Sequence, residues 1–132
     1  DNVFKYLKAI HTLDISFCIQ ITDIALENLK GIHTLNMSHY KQTTITDKGF
    51  ENLKGIHSLN IIHCNQITIT DTAFEKLQGI HTLCMNYCDQ NTITKKVIEY
   101  LKDINILHII KCRQSLIDNA LSHLKNTKIK YY

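Results

Sequence analysis

The chain has 132 residues, of which 44% are hydrophobic and 20% are charged, a composition typical of a folded domain rather than a disordered segment. Its formal net charge is +3 at pH 7, and the basic residues are scattered along the sequence, so we expect no nucleic-acid partner and no membrane surface. No apolar run approaches the roughly 20 residues that a membrane-spanning helix needs, and the first ten residues lack the pattern of a signal peptide.

A nine-residue segment recurs five times. The copies are IHTLDISFC at 10–18, IHTLNMSHY at 32–40, IHSLNIIHC at 56–64, IHTLCMNYC at 80–88 and INILHIIKC at 104–112. Each fits the pattern Leu-x-x-Leu-x-Leu-x-x-Asn/Cys, in which Ile or Met replaces some of the Leu residues. Five matches at nearly constant spacing predict a leucine-rich repeat.

The centre of each copy predicts a short strand, because alternate side chains of a strand face opposite sides of a sheet. In the first repeat, Leu13 and Ile15 would face inward, while Thr12, Asp14 and Ser16 would face outward. The same spacing predicts strands near 12–16, 34–38, 58–62, 82–86 and 106–110, and a partial sixth unit at 124–132 whose apolar positions are shifted by one.

A short helix is predicted after each strand. In the first repeat Thr22 can cap the helix and Asp23 complements its dipole. The apolar face of this helix is predicted to comprise Ile24, Ala25, Leu26 and Leu29. Glycine then suits the helix exit, at Gly31, Gly55 and Gly79.

One such unit cannot bury its own apolar face, so neighbouring units must stack. We therefore expect residues 1–132 to form a single α/β domain, a leucine-rich-repeat solenoid. Its right-handed βα superhelix would place a parallel sheet on the concave side and the helices on the convex side.

The repeats resemble the cysteine-containing leucine-rich repeats of F-box proteins. The resemblance depends on the Cys that ends most copies and on the Ile-Thr-Asp that follows: Cys18, Cys64, Cys88 and Cys112, and residues 21–23, 45–47 and 69–71. Three positions depart from the pattern, namely Tyr40, Thr94-Lys95 and Ile117-Asp118. The resemblance implies the substrate-recognition part of a ubiquitin-ligase receptor, and a Skp-type adaptor only if an F-box lies outside this chain.

The cysteines and histidines allow more than one interpretation. We expect the repeated Cys to be buried structural thiols, which favours a reducing, intracellular compartment, cytoplasmic or nuclear. Cys84 lies in an outward strand position and should be the more reactive thiol. A second column, His11, His33, His57 and His81, either brackets a divalent metal or merely repeats with the duplicated unit. We favour the second interpretation and predict no metal and no cofactor.

The concave face is the candidate binding surface, since aromatic side chains beside small polar ones suit protein recognition. Ile62, Ile106 and Ile110 form either an anchor for a partner or a surface covered by further chain. The predicted partner-binding residues are Asp14, Ser16, Phe17, Asn36, Ser38, His39, Asn60, Ile62, His63, Cys84, Asn86, Tyr87, His108 and Ile110.

No catalytic motif is present, so we expect a binding protein rather than an enzyme. The predicted function is a protein-interaction module, the substrate-recognition array of an F-box-like ubiquitin-ligase receptor. The alternative is a stand-alone scaffold that associates end to end with itself or packs in a larger assembly.

Overall fold

The computed structural model describes all 132 residues. Six strands form one sheet: β1 (Thr12–Asp14), β2 (Thr34–Asn36), β3 (Ser58–Asn60), β4 (Thr82–Cys84), β5 (Ile106–His108) and β6 (Lys128–Lys130). Five helices alternate with them: α1 (Asp23–Glu27), α2 (Asp47–Phe50), α3 (Asp71–Glu75), α4 (Val97–Tyr100) and α5 (Gln114–His123). Two 3₁₀ segments lie at Asn2–Tyr6 and Glu51–Leu53.

The strands pair in parallel and in chain order, β1 to β6. Their central residues form one inward-facing row: Leu13, Leu35, Leu59, Leu83, Leu107 and Ile129. A single apolar core between the sheet and the helices contains the four middle members of this row, and Leu13 and Ile129 at its two ends are partly buried against that core. The predicted α/β solenoid architecture is therefore confirmed.

The beginnings of the helices are joined from repeat to repeat by Asp–Thr pairs. Thr46 caps α2, accepting a hydrogen bond from the N–H of Lys48, and donates its own N–H and hydroxyl to the carboxylate of Asp23. Thr22 with Asp1, Thr70 with Asp47, and Thr94 with Asp71 repeat this pairing. Asp23 therefore links two repeats in addition to complementing the dipole of its own helix.

The strands are shorter than predicted, at three residues each. In the first repeat the N–H of Ser16 bonds to Asp14 Oδ1, and Phe17 then adopts a left-handed backbone. The N–H groups of Ile15 and Phe17 still bond to the next repeat beyond the regular strand. The prediction for α1 was wrong at Ile24, which lies at the helix start and is 57% exposed. The sixth unit does form a strand, with Ile129 in register with Leu107.

Gly49 in α2 allows two neighbouring repeats to approach closely. A Cβ atom at this position would lie 2.4 Å from Asp23 Oδ1 and 2.9 Å from Leu26 Cδ1. The absence of a side chain here leaves room for the Asp23 carboxylate that holds Thr46.

Candidate functional site

The outward side chains of the strands and of the turns that follow them form one surface, which we call the sheet face. Three of its columns run across the repeats. The first column is Thr12, Thr34, Ser58, Thr82, Ile106 and Lys128; the central column is Asp14, Asn36, Asn60, Cys84, His108 and Lys130. The third column contains Ser16, Ser38, Ile62, Asn86 and Ile110.

The polar members of the central column hold the turns beyond the strands. Asp14 Oδ1 accepts the N–H of Ser16 at 2.8 Å, and Asn60 Oδ1 accepts the N–H of Ile62 at 3.0 Å. Asn36 donates to the second carboxylate oxygen of Asp14 at 2.9 Å. Hydrogen bonds from the Ser16 side chain and backbone, and then from Asn36, lower the pKa of Asp14. These residues therefore shape the surface besides being exposed on it.

Cys84 lies half-buried in the central column, with its sulfur 3.6 Å from Nδ1 of His108. Burial raises the pKa of the Cys84 thiol, which reduces its thiolate fraction at neutral pH. Cys84 is more exposed than the buried Cys64, Cys88 and Cys112, and its higher reactivity stays a prediction. Cys18 is the exposed cysteine of the chain.

One border of the sheet face is a column of stacked rings, which we call the edge stack: Phe17, His39, His63 and Tyr87. The centroid distances between successive rings are 4.3, 4.8 and 4.3 Å. Phe17 and Tyr87, at the two ends, are 67% and 41% exposed. The stack therefore presents ring edges along its length and open aromatic surface at its ends.

All four residues of the edge stack have left-handed backbones, with φ between 59° and 61°, and Lys111 continues the series at 58°. Bulky side chains rarely adopt this conformation. The next residue is buried in three of these turns, at Tyr40, Cys64 and Cys88, and exposed in the first, at Cys18. The sequence carries no signal for this geometry, because the usual left-handed residues, Gly and Asn, are absent from these positions.

The opposite border is the histidine stack, comprising His11, His33, His57 and His81. Successive rings lie 4.4 Å apart and are tilted by 15° or 16°. Burial, followed by repulsion from His11 and His57, lowers the pKa of His33. Ring nitrogens in such a stack point side by side rather than toward a common centre, and no group of three or more potential ligands is arranged to hold a metal ion.

The repeated cysteines lie behind the edge stack. Cys64, Cys88 and Cys112 are buried and donate to the backbone carbonyls of the preceding repeat, at 3.2, 3.0 and 3.1 Å. Burial raises the pKa of Cys64 to about 12 and that of Cys112 to about 11. Cys18 departs from the predicted burial because no earlier strand covers it.

Tyr40 occupies the cysteine position of the second repeat. Its side chain is fully buried, and its hydroxyl bonds to the carbonyl of Ile21 and to the hydroxyl of Thr44. The Tyr40 phenol can thus replace the cysteine thiol because its longer side chain reaches the carbonyl of Ile21 in the preceding repeat.

Thirteen of the predicted partner-binding residues lie at least partly exposed on the sheet face or in the edge stack. Ser38 is the exception, since only 6% of it is exposed. It is a small residue beside the larger Ile62 in the third column, and its N–H bonds to Asn36 Oδ1. The prediction that Ser38 is an exposed partner-binding residue is therefore wrong. Lys128 and Lys130, which sequence reasoning missed because the register of the sixth unit was shifted, extend the face.

None of the helices is long and apolar enough to cross a lipid bilayer. The longest, α5, has 10 residues.

No protein-family model matches the chain, and no curated protein matches it. Solved structures with a similar fold include that of the TLR13–ssRNA13 complex, with a TM-score of 0.69, 18% identity, and coverage of 92% of this chain and 18% of the other. The yeast Rad7–Elc1 complex gives a TM-score of 0.56 and 16% identity, over 80% of this chain and 29% of the other. The Drosophila Toll–Spatzle complex gives a TM-score of 0.46 and 8% identity, over 92% of this chain and 23% of the other.

The first two likenesses show that this chain has the fold of a leucine-rich-repeat solenoid. The chain spans less than a third of the length of each solved chain that it matches.

Proposed function

We propose that this chain is a protein-interaction module that binds a partner protein on the sheet face, between its two ring stacks. The module would act by binding rather than by catalysis. The edge stack is the observation that carries the proposal.

Aromatic rings that are fixed before binding contribute contact area at little further entropic cost. In the edge stack, His39 and His63 each lie between two neighbouring rings, and the left-handed backbone directs them outward. Such a border next to short polar side chains has the composition of protein-binding surfaces, where aromatic anchors adjoin adaptable hydrogen-bonding groups.

The finer proposal is that the partner is a substrate of an F-box-like ubiquitin ligase. It is supported by the Cys position and the Ile-Thr-Asp element, which resemble the repeats of F-box proteins. A Skp-type adaptor would bind only a longer protein that also carries an F-box. An intracellular, reducing location is proposed as well, supported by three buried thiols that each donate a hydrogen bond to a backbone carbonyl.

The test compares three forms of the protein as bait in extracts of cells that express it. His63→Asn with Tyr87→Asn removes two rings while keeping a residue type that tolerates the left-handed backbone. The matched control, Ile24→Asn with Ile67→Asn, removes exposed apolar side chains that are not members of the edge stack.

A protein that binds the wild type and the control but not the His63/Tyr87 variant, as measured by quantitative mass spectrometry, would support the proposal. Equal capture by all three forms would contradict it. Recovery of a Skp-type adaptor and a cullin with the native full-length protein would support the ligase role, and their absence would leave the general binding role alone.

A second candidate function is self-association at the first-repeat end of the sheet. Val3, Phe17 and Ile19 are each at least 64% exposed there and border one shallow cleft. Against it, the opposite edge strand carries Lys128 and Lys130, and charged edge strands resist pairing. Sedimentation velocity over a range of concentrations tests it: Ile19→Asn should abolish any association, whereas the control Ile67→Asn should not.

A further inference from the structure

The charges of the sheet face are separated along the solenoid. Asp14 is the only acidic residue of the three columns, and it lies at the first-repeat end. At the last-repeat end are Lys128 and Lys130 in β6, with Lys111 continuing the edge stack and His108 beside Lys130. The face therefore changes from acidic to basic along its length.

The basic end also offers apolar surface. Ile62 and Ile110 flank Asn86 in the third column, and both are half-buried. A cleft beside Ile110 is lined by Lys111, Cys112, Gln114, Ile117, Tyr131 and Tyr132. The basic side chain of Lys111 thus helps to line a mainly apolar cleft.

From this arrangement we infer that the last two repeats bind a peptide segment in which a bulky apolar residue is close to an acidic one. The apolar side chain enters the cleft beside Ile110, and the carboxylate pairs with Lys111 or Lys130. This inference rests on the proposed function, and it adds the chemistry of the partner.

The spacing of the two residues follows from the spacing of strands. Neighbouring strands lie roughly 4.8 Å apart, so features one or two strands apart are separated by roughly 5 to 10 Å. An extended peptide advances about 3.3 Å per residue. The acidic residue should therefore lie within about three residues of the apolar one.

The charge of Lys130 acts on this surface at short range. Its positive charge favours the thiolate of Cys84, although burial dominates and raises the thiol's pKa. Lys130 also pairs in register with His108 of β5, so its ammonium group can attract a carboxylate placed over that strand. Exposed pairs of this kind are individually weak, so specificity requires the apolar contact as well.

The experiment is a selection from a random-peptide phage library on the immobilised protein, followed by fluorescence anisotropy of the selected peptides as synthetic probes. Lys111→Glu with Lys130→Glu reverses the charge at the site. The matched control, Lys30→Glu with Lys54→Glu, makes the same change of net charge at exposed lysines near the helix ends. Ile110→Ser tests the apolar half.

We expect selected peptides to combine Asp or Glu with a bulky apolar residue. Their affinity should fall about tenfold in the Lys111/Lys130 variant and less than about twofold in the control, and it should weaken with added salt. It should also fall in Ile110→Ser.

Other results would overturn the inference, and they distinguish it from the proposed function. Some selected peptides could lose affinity in the His63→Asn/Tyr87→Asn variant but not in the Lys111→Glu/Lys130→Glu variant. That result would support the proposed binding surface and contradict the inference that its partner is acidic. Failure to select any peptide that depends on the sheet face would contradict both. If an oligouridine RNA bound more tightly than any peptide, and its binding depended on the two lysines, the partner would be a nucleic acid rather than a peptide.

Discussion

Thr46 donates both its backbone N–H and its hydroxyl to the carboxylate of Asp23, one repeat earlier, at 2.8 and 2.7 Å. The same Thr side chain caps the helix that follows it. One residue therefore begins a helix and fastens it to its neighbour. Since each repeat of a solenoid contacts only adjacent repeats, these links contribute directly to the stability of the interfaces.

Asp47→Ala should therefore destabilise the fold although the carboxylate is only partly buried. Its carboxylate accepts the N–H of Thr70 at 2.7 Å and the hydroxyl at 2.6 Å. Hydrogen bonds to a charged acceptor contribute about 1.5–3 kcal/mol, and partial exposure places the expected loss near the lower figure. Urea unfolding measures it. Asp103→Ala, at an exposed site between repeats, is the control; equal losses in the two variants would contradict this role for Asp47.

Gly49→Ala should also destabilise the protein, against the preference of helices for Ala. The added Cβ would lie 2.4 Å from Asp23 Oδ1, and overpacking of this kind costs about 1–3 kcal/mol. The higher helix propensity of Ala relative to Gly would offset at most about 1 kcal/mol of this cost. In the Asp23→Ala background the loss should shrink, because the clashing oxygen is gone. A double-mutant cycle of thermal unfolding measures this coupling, and additive effects would refute the steric explanation.

The two buried glutamines provide a matched pair. The Gln90 side chain donates to the carbonyl of Cys64 at 3.0 Å and has only its oxygen buried without a hydrogen-bond partner, whereas both polar atoms of the Gln66 side chain are buried without one. Leaving a buried amide unsatisfied costs about 1–3 kcal/mol. Gln66→Met should therefore be neutral or stabilising, while Gln90→Met should lower the stability by about 1 kcal/mol. Chemical denaturation of both variants checks this, and a larger loss at Gln66 would contradict it.

Much of this fold follows from spacing that the sequence displays. The inward Leu row, the Thr caps and the repeated Cys could be predicted because each depends on residue type at a fixed position within the repeat. The Asp–Thr pairs could not, since a carboxylate at a helix start has an equally good local explanation in the helix dipole.

The candidate site was less predictable than the fold. Its strand residues were identified from alternation alone, and alternation does not reveal that Ser38 is buried. The left-handed backbone of the edge stack has no signature in residues such as Phe17 and Tyr87. Lys128 and Lys130 join the face through a register that is fixed only when Ile129 packs beside Leu107.

Mild acid should destabilise the protein through its stacked histidines. The pKa of His33 is lowered by burial and then by His11 and His57, and the pKa of His63 is lowered by burial and then by His39 and Lys41. With pKa values below the unfolded value of 6.5, these residues bind fewer protons in the folded than in the unfolded state. Stability is therefore full above that value and declines as the pH falls through it toward the folded pKa.

The melting temperature should accordingly be lower near about pH 5.5 than near about pH 7.5. His33→Phe keeps a ring between His11 and His57 but cannot take up a proton, so its melting temperature should fall less over the same interval. His123→Phe, in α5 and outside both stacks, should behave like the wild type. If His33→Phe and the wild type lost stability equally, the acid sensitivity would not arise from repulsion within the histidine stack.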